Sequence, residues 1–75
     1  MRKEKSNPRL LREIRKTVDK NKNVSHGLVL CLEVLEATYQ LQISFKFRDY
    51  ETLRRNLLFL IKQLKKENIF ISIHP

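Results

Sequence analysis

Seventy-five residues make one small domain, which buries only about 60% of the surface of its unfolded chain and has a thin stability margin as a monomer. The chain is 41% apolar, which excludes a disordered tail, and its 16 Lys and Arg against 8 Asp and Glu give a formal net charge of +8; this favours nucleic acid, an anionic membrane surface or an acidic protein as partner. One cysteine excludes an internal disulfide, and no apolar run is read as approaching the roughly 18 residues of a membrane span.

Residues 1–7 read as a flexible basic N-terminus and residues 8–75 as a single compact domain. Asn7 followed by Pro8 is a helix-start signal, with Asn as cap and Pro at the first helical position. Leu10, Leu11, Ile14 and Val18 then fall on one face of an amphipathic helix of about three turns. Asn21–Asn23 is a polar break, after which Ser25 can cap a second helix. From Leu28 to Tyr39 nearly every residue is apolar, with Glu33, Glu36 and Gln40 on one narrow polar stripe. Such a helix must be covered on most sides. The competing reading, a strand over Leu28–Val34, lacks a Gly, Asn or Asp around residues 36–39 to turn a hairpin.

Leu41, Ile43, Phe45 and Phe47 alternate with Gln42, Ser44, Lys46 and Arg48, the period of a strand with one dry and one wet face. Asp49 is a plausible N-cap for a third helix, in which Leu53, Leu57, Leu60, Ile61 and Leu64 recur at spacings of three and four. Asn68 stops it, and Ile69, Ile71 and Ile73 alternate into a last strand. The expectation is therefore an α/β (α+β) domain in the order ααβαβ, with αββαβ as the alternative.

Charge divides along the chain. Residues 1–22 carry nine Lys or Arg against three acids, residues 23–47 one against two, and residues 48–75 six against three, so the net is +6, −1 and +3. Arg9, Arg12, Arg15, Lys16 and Lys20 on the first helix, with Arg54, Arg55, Lys62, Lys65 and Lys66 on the third, are the candidate nucleic-acid-binding residues, because phosphate contact requires cations at a suitable pitch. The bland alternative is a solvated basic face. A helix-turn-helix is rejected, since the second helix would offer Leu, Val and Cys to base edges.

Leu30, Val34 and Ala37 lie opposite Leu28, Leu32 and Leu35 on the second helix and are the candidate homo-oligomer interface. His26, Cys31 and His74 lack zinc-site spacing, and Gly27 is the sole glycine, so no metal, cofactor or phosphate-loop signature is present and no catalytic residue is assigned. The functional expectation is a non-enzymatic, DNA- or RNA-binding or regulatory protein, homodimeric, and cytoplasmic, or nuclear in a eukaryote. The alternative is an adaptor or inhibitor whose basic surface docks an acidic protein.

Overall fold

The computed structural model describes residues 3–46 and 49–71. Its elements are three helices, α1 (Lys3–Lys20), α2 (His26–Phe45) and α3 (Tyr50–Lys66). No strand occurs among the described residues. The α/β expectation is thus overturned in both its ααβαβ and αββαβ forms, and the fold is all-α.

α1 begins at Lys3, upstream of the expected start, and runs through Pro8. A proline lacks the N–H that would bond back to the preceding turn, so Pro8, the sixth residue of α1, costs the helix one bond to its first turn. Asn7 is consequently inside the helix and not its cap. It is 1% exposed, and its Nδ2 donates to the Tyr50 carbonyl at 3.0 Å. Leu10, Leu11, Ile14 and Val18 form the buried stripe that their spacing predicts.

Ser25 occupies the N-cap position of α2 with extended backbone (φ −61°, ψ 144°), but its hydroxyl makes no capping bond. Its carbonyl accepts from the N–H groups of Leu28 and Val29, and its own N–H donates to Glu67 Oε1 at 3.2 Å. The helix then continues through Leu41–Phe45, where alternation predicts a strand. Nothing between Leu28 and Lys46 is a Gly, Pro, Asn or Asp, and lengthening an existing helix gains a backbone bond per residue without a new nucleation cost. A strand there would need a partner strand. Leu41, Ile43 and Phe45 are instead 55%, 55% and 72% exposed, so the alternation yields no dry face. The helix ends where Lys46 turns left-handed (φ 56°); Phe47 and Arg48 lie outside the described residues.

Asp49 caps α3 as expected, accepting from the Thr52 N–H at 3.2 Å. Leu53, Leu57, Leu60 and Leu64 are all at most 1% exposed. Beyond the end of α3, Asn68 adopts φ 62°. Its N–H bonds to the Lys65 carbonyl and that of Ile69 to the Leu64 carbonyl, both at 3.0 Å. This pair of bonds is the Schellman closure, which brings the residue after the left-handed one back onto the last turn. Ile69 is buried for that reason, not as part of a sheet. Residues 69–71 are irregular, and the rest of the expected last strand lies outside the described residues.

Asn7 on α1 meets Tyr50 at the start of α3, so these two helices run the same way. Ser25, just before α2, meets Glu67 after α3, so α2 runs against them. The core is the leucine row of α3 closed by the α1 stripe and by Leu32 and Leu35 of α2. With a smallest extent of 17 Å against a helix diameter of about 10 Å, no second layer covers the outside of α2. The expectation of a buried second helix is corrected accordingly: Leu32 and Leu35 are its buried residues.

Candidate phosphate-binding face

The helices divide the charge more sharply than the sequence thirds do. α1 carries seven Lys or Arg against three acids and α3 five against one, so each has a net of +4. α2 has two glutamates and no Lys or Arg, a net of −2. The cationic excess therefore sits on two parallel, adjacent helices.

On α1, a rotation of about 100° per residue places Arg9, Lys16 and Lys20 opposite the buried stripe, and all three are exposed. Lys16 has only a loose tie to Glu13, at 3.9 Å. Arg12, three residues after Arg9 and four before Lys16, is also exposed and stands at the edge of that face, where it lines an open groove of about 460 Å³ with Leu11, Tyr39 and Gln40. Arg15 turns towards α2. Its Nε donates to Glu36 Oε2 at 2.9 Å and its Nη2 to Glu36 Oε1 at 2.5 Å, while Nη1 reaches Asp19 at 3.1 Å. The Glu36 hydrogen bond pushes the Arg15 pKa above its ordinary value; partial burial opposes this and Asp19 assists it. Arg15 is thereby largely engaged within the protein.

On α3, Arg55, Lys62 and Lys66 are exposed on the side away from the leucine row, with Lys65 exposed beside them. Arg54 is half-buried and already has an interaction partner. Of the ten cations singled out from sequence, eight are exposed on α1 and α3, whereas Arg15 and Arg54 are drawn inward. Phe59 lies within the α3 row, four residues after Arg55 and three before Lys62, and is 58% exposed. Sequence reading passed over it, although an apolar residue outside the leucine spacing is itself a signal.

The polar residues that alternate along the end of α2 do not share one side of the helix. Gln42 Nε2 donates to the Asp49 carbonyl at 3.1 Å, Ser44 and Lys46 are exposed at the helix end, and Arg48 lies outside the described residues. Gln42 and Asn7 together tie α2 and α1 to successive carbonyls at the start of α3. Their other amide oxygens, Asn7 Oδ1 and Gln42 Oε1, are buried without a hydrogen-bond partner among the described residues.

Leu30, Val34 and Ala37 are exposed on the outer side of α2, and Leu41 and Phe45 extend the same stripe. Its second half was missed because alternation assigned it to a strand. At 20 residues and a mean hydropathy of 1.2, α2 is long and apolar enough by composition to cross a membrane. This corrects the expectation that nothing approaches that length. Core helices of soluble proteins pass the same test, so it decides nothing about location.

Among the described residues no group of three or more His, Cys, Asp or Glu is placed to hold a metal ion, and Cys31 is a half-buried free thiol. Comparison of the chain with protein-family models, curated proteins and solved structures finds no match.

Proposed function

We propose that this protein binds single-stranded nucleic acid, holding the backbone phosphates on the cationic rows of α1 and α3 and stacking a base on Phe59. The observation that carries this reading is the α3 row itself: Arg55, Phe59, Lys62 and Lys66 follow one another at spacings of four, three and four, all exposed. That order interleaves phosphate-binding cations with an aromatic face, the combination used for sequence-tolerant recognition of unpaired strands. The rows from Arg9 to Lys20 and from Arg55 to Lys66 each rise about 16 Å along their helices. α1 and α3 run parallel and adjacent, so the two rows run in the same direction along the molecule.

The two rows consist of cations and one aromatic, which suit phosphates and base faces. Binding is therefore governed by phosphates and stacking, with a strong dependence on salt. The test is fluorescence anisotropy with labelled single-stranded DNA, single-stranded RNA and duplex DNA over a range of salt concentrations. Phe59→Ala is expected to weaken single-strand binding by about 1–3 kcal/mol, roughly 5- to 150-fold, and to leave duplex binding unchanged. Equal loss on all ligands would remove the stacking role. No binding at low salt would overturn the whole reading and favour an acidic protein partner for the same surface.

A further inference from the structure

The outer stripe of α2 is built like a seam. Leu30, Val34, Ala37 and Leu41 follow at spacings of four, three and four, and Phe45 lies four residues further on, so an apolar line runs nearly the length of the helix. Four of these side chains are large and uncovered, at 48%, 63%, 55% and 72% exposure for Leu30, Val34, Leu41 and Phe45. Apolar residues at spacings of three and four along an exposed helix are the pattern by which one helix packs against another.

We infer that this stripe is the interface of a homodimer in which α2 packs antiparallel against α2 of a second copy, with the two-fold axis at Ala37. The stripe is nearly the same read in either direction from that residue. Val34 stands three residues before it and Leu41 four after; Leu30 stands seven before and Phe45 eight after. A two-fold axis there sets Val34 against the partner's Leu41 and Leu30 against the partner's Phe45. An isologous interface demands this self-complementarity. The smallest side chain falls at the crossing, where the two backbones approach most closely.

Charge selects the same face. Two copies at +8 each repel, and α1 and α3 carry that charge outward. α2 is the one helix with no Lys or Arg, so pairing through it keeps the cationic helices of the two copies apart. The same feature argues against a membrane surface as the occupant. A helix lying in a membrane surface carries Lys and Arg on its polar face, whereas the polar residues flanking this stripe are Glu33, Gln40 and His26. The exposed apolar area of the stripe is on the order of 500 Å², a large share of the roughly 800 Å² that each partner buries in a stable interface. The dimer does not rest on nucleic-acid binding and survives the failure of that reading.

Sedimentation equilibrium of the full chain over a wide dilution series tests it. The expected mass is twice 9.1 kDa, and Val34→Lys or Leu41→Lys is expected to halve it with the helical circular dichroism retained, since both positions are exposed in the single chain. A wild-type chain that is monomeric throughout overturns the inference, as does a Lys variant that stays dimeric. Register is read separately by cysteine cross-linking in a Cys31→Ser background with a short bismaleimide. Ala37→Cys should couple to its partner efficiently. Leu30→Cys should not couple to itself, because antiparallel packing holds the two copies of that residue roughly 20 Å apart. The reverse pattern overturns the antiparallel arrangement. A monomer that instead binds anionic vesicles through the stripe would assign the face to a lipid surface.

Discussion

Arg15 and Glu36, which lie 21 residues apart on α1 and α2, meet as two parallel hydrogen bonds with both side chains about one-third exposed. The pair fixes the contact between these helices and withdraws one cation from the exposed basic surface. Glu36→Gln is therefore expected to have opposite effects on two measurements. Stability should fall by about 1 kcal/mol, the scale of a partly exposed ion pair, which lowers the melting temperature by several degrees in a domain this small. Affinity for a single-stranded oligonucleotide should rise, because a carboxylate is gone and Arg15 is released. Parallel thermal melts and anisotropy titrations check both; a loss of affinity would place Glu36 in a different role.

Charge reversal separates cations that face solvent from those engaged inside. Arg9→Glu, Lys16→Glu and Lys20→Glu combined should preserve the melting temperature within a few degrees, since all three are exposed and away from the core. The slope of log K against log salt should shrink by about 2, from roughly 0.7 per lost single-strand phosphate contact. Including Arg15 in such a set would be a poor test. An Arg15→Glu change would set a carboxylate against Glu36 and Asp19 and disturb the fold as well as the ligand. An unchanged salt slope in the triple variant would take α1 out of the binding face.

Two left-handed residues end the longer helical run and close α3. Lys46 at φ 56° and Asn68 at φ 62° hold a conformation that costs a side-chain-bearing residue about 1–2 kcal/mol, less for asparagine. Lys46→Gly should accordingly stabilise the chain by about 0.5 kcal/mol, the relief of strain being offset in part by a more flexible unfolded chain. Asn68→Ala should cost about 1 kcal/mol and loosen Ile69 from the core. Urea unfolding midpoints with an unchanged m-value report both. A destabilised Lys46→Gly would mean that the lysine side chain contributes more than its backbone costs.

The third helix was legible in full: its leucine spacing, the Asp49 cap and the Asn68 stop are local signals, and local physics sets them. The strands were not. Leu41, Ile43, Phe45 and Phe47 alternate faultlessly, but alternation counts only when another strand is available to pair, and the isoleucine run that could pair with it begins with Ile69, held by the Schellman turn. With no helix breaker after Leu28, α2 ran on through the alternating segment. The cations of the candidate site could be named from sequence because they lie outside the apolar spacing. Which of them is spent inside could not be named, because Arg15 finds Glu36 only after α1 and α2 pack. Phe59 needed no tertiary information, since an apolar side chain outside the leucine spacing is a local signal.

The segregation of charge by helix also acts before contact. With net charges of +4, −2 and +4 on α1, α2 and α3, a single copy has an electric moment pointing from the α2 edge towards the pair of cationic helices. In the field of a polyanion this moment exerts a torque, so an approaching molecule turns its α1 and α3 side forward within a distance set by the Debye length, about 8 Å at physiological salt. An encounter with such a ligand would thus be oriented while water still separates the surfaces, and its association rate should fall with added salt more steeply than the dissociation rate rises.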